Sequence, residues 1–213
     1  MPTFQTPEPI AVTVDILSGN LTVIASDRTD TVVQVRPSEE SKRDDVRAAG
    51  QTRVDFTAGA LTVKTPRDWR TYTPFGGNPS IEVIIEVPAG SRLQGNTSAG
   101  RILGSGELGD CVLEVSCGDI IVERPLGSVS AKTAKGDIRI GEAVRGVIRL
   151  ETSMGELEVG VRPGSAVRVE TNAQHGTVQN QMTLAPVDQF EDTVQVYARN
   201  TYGNIIIGHA TAV

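Results

Sequence analysis

Residues that commonly bind metals or act as nucleophiles are scarce in this chain. Only two of its 213 residues are cysteine and two are histidine. Cys111 and Cys117 would lie about 20 Å apart on one extended strand, whereas a disulfide requires Cα atoms about 4.4–6.8 Å apart. His175 and His209 have no neighbouring His or Cys, and a zinc site needs three or four ligands. We therefore expect two free cysteines that pack as small apolar residues, and no metal or other cofactor.

Long apolar runs and a surplus of basic residues are also absent. No run reaches the roughly 18 apolar residues of a membrane span, and the N-terminus MPTFQTPEPIAV lacks the basic and apolar regions of a signal peptide. Twenty Lys and Arg residues stand against 26 Asp and Glu residues, which gives a net charge of −6. A nucleic-acid binder would need a basic face. These absences predict a cytoplasmic protein with neither a membrane span nor a nucleic-acid partner.

The motifs of common enzyme classes are missing as well. The sequence contains no G-x-S-x-G, no phosphate-binding G-x-x-x-x-G-K-[ST] and no C-x-x-C. Because neither a nucleophile, an acid–base pair nor a cofactor motif is found, we expect a protein that is not an enzyme.

The sequence does contain a short repeat centred on glycine. Its unit is a small residue, any residue, glycine, a polar residue and two aliphatic residues separated by one position. It recurs as LSGNLTV, TAGALTV, SAGRILG, SCGDIIV, AKGDIRI, SMGELEV and TYGNIII. The glycines of the central copies are 18, 18 and 19 residues apart, and a second series lies between them. Because glycine adopts positive φ without steric cost, both series predict turns. The predicted turn glycines are Gly100, Gly109, Gly118, Gly127, Gly136, Gly146, Gly155 and Gly164.

Between these turns, apolar residues alternate with polar ones, as in half-buried strands. At the repeat period they align in columns. These columns are Ile102, Ile120, Ile138 and Leu157; Val122, Ile140 and Val159; Cys111, Val129, Ile148 and Val167; Leu113, Ala131, Leu150 and Val169; and Thr133, Thr152 and Thr171. Such strict repetition favours stacked coils over an antiparallel sandwich. We predict an all-β fold, a single-chain parallel β-solenoid (β-helix) with about 18 residues per coil, and right-handed coiling from the chirality of parallel crossovers.

The regularity of the repeat divides the chain into three parts. Residues 1–96 form a less regular β region with inserted loops, which either continues the solenoid or caps it. Residues 97–180 carry the regular repeats, and residues 181–213 supply a C-terminal loop and capping strands. Within the first part, the charged segment 37–51 predicts a solvated loop or a short helix.

The repeats resemble those of a known family. SCGDIIV, AKGDIRIGEAVRG, TSMGELEVGVRPG and TYGNIIIG are similar to the repeats of the DUF4097 family of β-strand-repeat proteins, whose members carry the label adhesin. The segments TPEPIAVTVDILSGNLTVIASDR and EVPAGS are similar in style to actinobacterial members. The resemblance covers most of the chain and implies a β-solenoid fold and an adhesin-like binding role.

An acidic ladder offers an alternative, catalytic interpretation. Asp119, Asp137 and Glu156 follow successive repeat glycines, and stacked coils would place them along one edge. Such a row could chelate Ca²⁺, or could serve a carbohydrate-active enzyme built on a β-helix with Lys135 or Arg139 nearby. Asp after glycine is also a common turn residue, because its side chain accepts hydrogen bonds from nearby backbone N–H groups.

The loop between Pro66 and Ser80 is the compositional outlier. Aromatic residues make up 4% of the chain, yet three of them lie here among two arginines. The candidate binding residues are Arg67, Trp69, Arg70, Tyr72 and Phe75. Aromatic and Arg side chains are enriched at binding hot spots, so the loop is a candidate recognition surface. It could instead fold over the solenoid as a cap, since open strand edges invite aggregation; on that interpretation Trp69 is buried.

Together these features predict a non-catalytic scaffold or binding module whose partner is an unidentified protein or glycan. Association into a homo-oligomer is a further alternative. End-to-end assembly into a filament is disfavoured, because the N-terminal region and the C-terminal strands would cover the ends of the solenoid.

Overall fold

A computed structural model describes residues 1–66, 79–182 and 193–210 of the chain. The elements of the first half are β1 (Thr3–Gln5), β2 (Ala11–Ser26), β3 (Asp30–Pro37), α1 (Arg43–Gln51), β4 (Arg53–Thr57), β5 (Ala60–Lys64), β6 (Ile81–Pro88), β7 (Arg92–Ala99) and β8 (Ile102–Leu108). Those of the second half are β9 (Cys111–Cys117), β10 (Ile120–Pro125), β11 (Val129–Lys135), β12 (Ile138–Ala143), β13 (Gly146–Met154), β14 (Leu157–Val161), β15 (Ala166–His175), β16 (Val178–Asn180), β17 (Thr193–Tyr202) and β18 (Ile205–His209).

The strands form two facing sheets, and each coil contributes one strand to each sheet. The front sheet has the order β4-β5-β2-β7-β9-β11-β13-β17-β15. The back sheet has the order β1-β3-β6-β2-β8-β10-β12-β14-β18-β16. β2 belongs to both sheets, because its 16 residues turn from one to the other at Gly19, where φ is +129°. All pairings between coils are parallel, so the chain winds round one axis as a solenoid.

The predicted fold class is confirmed: the protein is an all-β parallel solenoid. Successive coils pair in register, with Ile102 beside Ile120 and Ile120 beside Ile138, which is the predicted spacing of 18 residues. The aliphatic columns of Ile120 and Val122 are likewise confirmed, and those of Val129 and Ala131 are confirmed as far as Ile148 and Leu150. Their side chains fill the space between the sheets and are almost completely buried. The handedness of the coiling stays a prediction.

The last two coils depart from the predicted register. β17 lies between β13 and β15, and β18 lies between β14 and β16. The strands of residues 193–209, expected as caps, therefore lie inside the stack, and the earlier coil β15–β16 stands at its end. Val169 pairs with Val196 and so lies in the column of Ile148, the place predicted for Val167; Val167 instead pairs with Val194 and lies level with Gly146. Thr171 pairs with Ala198, so it lies outside the column of Thr133 and Thr152.

The N-terminal region contributes both coils and a cap. β3 and β4 extend the back and front sheets as antiparallel strands. The helix α1 covers the same end of the solenoid. The charged segment 37–51, predicted as a loop or a short helix, therefore contains a loop followed by a helix. Asp45 in its first turn is buried, and its carboxylate accepts the N–H groups of Glu39 (3.2 Å) and Ser80 (2.9 Å). The rings of Phe4 and Phe56 stack at 4.9 Å. Within the described residues, no helix has the length and apolar character of a membrane span.

Candidate functional site

Seven coils turn from the front to the back sheet at a corner occupied by glycine, which we call the glycine corner. In stacking order this corner holds Gly19, Gly100, Gly118, Gly136, Gly155, Gly203 and Gly176. At Gly118 φ is +140°, and at Gly136 it is +146°. A Cβ atom at either position would overlap the carbonyl oxygen of the glycine in the preceding coil. The corner therefore requires glycine both for its backbone conformation and for the close approach of coils.

The glycines of the second series occupy the opposite corner. There Gly146 and Gly164 have φ values of +95° and +92°. Gly109 and Gly127 do not have positive φ. A Cβ on Gly109 would lie 2.6 Å from the carbonyl oxygen of Gly90, and one on Gly127 would overlap the Asp110 carboxylate. In the second series, glycine is thus favoured by positive φ at Gly146 and Gly164 and by the lack of space for a Cβ at Gly109 and Gly127.

Buried hydroxyl groups explain the threonine that precedes several repeat glycines. Thr133 Oγ1 donates to the carbonyl of Gly118 at 3.1 Å, and Thr152 Oγ1 donates to that of Gly136 at the same distance. Asn200 takes this place in the next coil and donates to Gly155 at 2.7 Å. Its Oδ1 atom is buried without a hydrogen-bond partner in the described structure.

The predicted acidic residues do form a ladder, beside the glycine corner. The Asp119 carboxylate accepts the backbone N–H of Asp137 at 3.1 Å, and the Asp137 carboxylate accepts that of Glu156 at 2.7 Å. Asn20 and Asn204 do the same in other coils, accepting the N–H groups of Arg101 and Thr177. In these four coils the side chain after the glycine thus ties its coil to the neighbouring one. Among the described residues, no group of three His, Cys, Asp or Glu side chains is placed to hold a metal ion.

A group of exposed side chains at the last three coils stands out from this polar surface. Met154, Tyr202 and His175 occupy matching positions on β13, β17 and β15. Tyr202 is 52% exposed and Met154 is 51% exposed. The Tyr202 and His175 rings stack with centroids 4.8 Å apart and planes 14° apart. In a chain with three tyrosines and two histidines, this concentration is a candidate binding surface.

A second tyrosine lies on the same strand. Tyr197 projects from the outer face of β17, and the guanidinium carbon of Arg149 lies 5.2 Å from its ring centroid, a cation–π contact. Tyr197 and Tyr202 are five residues apart, about 16 Å along the strand: Tyr197 lies on the outer face, and Tyr202 is the last residue of β17, beside the glycine corner. We call Arg149, Met154, His175, Tyr197 and Tyr202 the aromatic surface.

The other candidate residues are distributed as follows. Arg67, Trp69, Arg70, Tyr72 and Phe75 lie outside the described residues, between β5 and β6. Both cysteines are free; Cys111 is buried as predicted, whereas the predicted packing of Cys117 is wrong, because it lies exposed at the end of β9. Burial, with a smaller contribution from the Asp110 charge, raises the pKa of Cys111 to about 12.

Sequence reasoning missed the aromatic surface. His175 and Tyr202 are 27 positions apart, and they are neighbours only because β17 is inserted beside β15. The available signal was composition: two of the three tyrosines lie within the single segment TVQVYARNTY.

Comparisons with known proteins extend only to the fold. No family model matches the chain, and no curated protein matches it by sequence. A "putative cell adhesion protein" from Clostridium sporogenes has a similar structure, with a TM-score of 0.60, 12% identity and 98% of each chain covered. A "putative adhesin" from Bacteroides fragilis has a TM-score of 0.42 and 11% identity over 97% of this chain and 95% of its own. At such identities the first match shows a shared fold alone.

Proposed function

We propose that the protein is a non-catalytic binding module, a β-solenoid that presents the aromatic surface to a protein partner. The observation that carries the proposal is the stacked Tyr202–His175 pair beside the exposed Met154. Tyr, Arg and Met are enriched at the centres of protein interfaces, and Tyr, with two rotatable side-chain bonds, is immobilised there at low entropic cost. Solenoids commonly use such broad, regular surfaces for binding.

The acidic ladder favours this proposal over the carbohydrate-active enzyme. Asp119 and Asp137 each hold a backbone N–H of the following coil, which is a structural use of the carboxylate. A glycosidase would need a carboxyl pair facing a substrate across a gap of about 5–9.5 Å. The Asp119 and Asp137 carboxylates instead accept backbone N–H groups of the neighbouring coil.

The proposed role agrees with the resemblance of the repeats to the DUF4097 family, and we include membership of that family in the proposal. The name of the clostridial neighbour, a "putative cell adhesion protein", supports the same role. The loop residues Arg67, Trp69, Arg70, Tyr72 and Phe75 are proposed as a second, separate contact region. A cytoplasmic location stays a prediction.

The test is affinity capture from a native lysate of the source cells with the full chain, followed by quantitative mass spectrometry. We compare the unaltered protein with the variant Tyr197→Ala/Tyr202→Ala. Hot-spot truncations cost about 2 kcal/mol or more, so a specific partner should be depleted more than about tenfold. Far-UV circular dichroism verifies that the variant retains its β structure.

The matched control is Val112→Ala. Val112 is 56% exposed on the outer face of β9, in the same sheet but three strands from Tyr197. This variant should capture the same partners as the unaltered chain. An identical partner set from the tyrosine variant would refute the role of the aromatic surface. Deletion of Arg67–Phe75 tests the loop separately. A glycan array tests the competing hypothesis, in which the partner is a glycan and not a protein.

A further inference from the structure

The two ends of the solenoid differ in how they are covered. At the N-terminal end, α1 and the antiparallel strands β1, β3 and β4 extend beyond the parallel coils. At the other end stands the coil β15–β16. β15 pairs with β17 along one edge, and within the described ranges no strand pairs with its other edge.

The side chains of β15 that face the interior are correspondingly less covered than those of the coil beneath. Val167 and Val169 are only partly buried, whereas their neighbours Val194 and Val196 are fully buried. β15 is ten residues long, AVRVETNAQH, and contains neither proline nor lysine, residues with which proteins often block a free edge. This end therefore has the properties of an edge that can accept another strand.

The sequence of β15 is complementary to itself in the antiparallel direction. Arg168 and Glu170 flank Val169, and both are exposed on the outer face, where they form a 3.2 Å ion pair within the strand. Consider a second β15 that runs antiparallel to the first, with the two Val169 residues opposite each other. Arg168 of each copy then lies opposite Glu170 of the other copy. Val167 then lies opposite Thr171, with both side chains on the inner face. Opposite charges on facing positions stabilise such pairs.

We propose that two copies of this chain associate end to end through antiparallel pairing of their β15 strands about Val169. The two-fold axis of such a pair is perpendicular to the sheet, so the outer faces of the two front sheets point to the same side of the dimer. The dimer would join the two front sheets. Because the opposite end of each solenoid carries its own cap, assembly stops at two copies. The proposal does not depend on the function of the aromatic surface.

The test measures the mass of the full chain in solution by light scattering after size exclusion, at concentrations up to about 100 µM, where weak interfaces associate. We expect twice the chain mass of 22.6 kDa. Arg168→Glu places Glu opposite Glu, and Glu170→Arg places Arg opposite Arg. Each single variant should weaken dimerisation by more than about tenfold and elute as a monomer.

Two combinations make the test specific. An equimolar mixture of the two single variants should form a heterodimer, because one supplies two acidic and the other two basic side chains. The double variant Arg168→Glu/Glu170→Arg should again form a homodimer. Lys132→Glu alters a comparably exposed ion pair, with Glu151, away from β15 and should leave the mass unchanged. A monomeric unaltered chain, a dimer that persists in both single variants, or a mixture that stays monomeric would overturn the proposal.

Discussion

The two cysteines show how strongly a position in the coil determines side-chain chemistry. Cys111 begins β9 and points into the aliphatic column between Leu93 and Val129, where it is 1% exposed. Cys117 ends the same strand, next to the glycine corner, and is exposed. Since the thiolate is the reactive form, burial that raises the pKa of Cys111 to about 12 suppresses its reactivity.

We therefore expect a thiol reagent at pH 8 to modify Cys117 and leave Cys111 intact. Peptide mass spectrometry of the native, alkylated protein identifies the modified residue, and alkylation in denaturant should reach both. Modification of Cys111 at a rate equal to that of Cys117 would contradict this expectation.

The same pKa predicts a pH dependence of stability. An unfolded cysteine has a pKa of about 8.5, so the folded state holds its proton more tightly. The contribution of the protonated Cys111 thiol to the free energy of unfolding is complete below about pH 8.5. It is lost as the pH rises towards about 12. In Cys111→Ala this part of the decline in the free energy of unfolding should be absent.

At the scale of the element, the glycine corner combines two constraints that substitution can separate. Gly118 has positive φ, and a Cβ there would also overlap the carbonyl oxygen of Gly100. Gly164 has positive φ but faces open space. Gly164→Ala should cost about 1 kcal/mol of unfolding free energy from backbone strain. Gly118→Ala should cost more than about 3 kcal/mol, because strain and overlap add.

Chemical denaturation followed by far-UV circular dichroism measures both values. Gly50→Ala is the control, since Gly50 lies in α1 with ordinary φ and space for a methyl group, and it should be neutral or slightly stabilising. Equal losses in Gly118→Ala and Gly164→Ala would show that the close approach of coils is not a constraint.

The acidic ladder makes a different element-scale prediction. Asp137 Oδ1 accepts the N–H of Glu156, and Asn20 and Asn204 already perform the same task elsewhere. Asp137→Asn should therefore leave the free energy of unfolding nearly unchanged, whereas Asp137→Ala should lower it by about 1 kcal/mol. Thermal and chemical denaturation measure both variants. A large loss in Asp137→Asn would indicate that the negative charge itself is required.

The contrast between the central and the terminal coils shows what the sequence can predict. Between Ile102 and Leu157 each coil packs on the next one in the chain, so a fixed period determines the register. The next step of the stack, from β14 to β18, pairs Leu157 with Ile205, which is 48 positions away in the chain. No local periodicity specifies which coil lies in between. The aromatic surface depends on that insertion, and for this reason the sequence alone did not reveal it.

At the scale of the whole molecule, coil order departs from chain order at both ends. β2, the first solenoid strand of the chain, lies between the coil β5–β6 and the coil β7–β8. β17 and β18, the last strands of the described chain, lie between two earlier coils. Terminal strands tend to fray unless they are held. Here β2, β17 and β18 are each paired along two edges, and the internal strands β4 and β15 occupy the ends of the front sheet.

This order can be tested by engineered disulfides in a Cys117→Ser background. Glu151 pairs directly with Arg199, so the Cα atoms of Glu151→Cys/Arg199→Cys should be about 4.8 Å apart, within the range of a disulfide. In a strictly sequential stack Glu151 would instead adjoin Glu170. In this structure Glu170 is two strands away and two residues out of register, about 12 Å, and Glu151→Cys/Glu170→Cys should not cross-link. Non-reducing peptide mass spectrometry after mild oxidation distinguishes the two outcomes. A disulfide in the second variant and none in the first would establish sequential stacking.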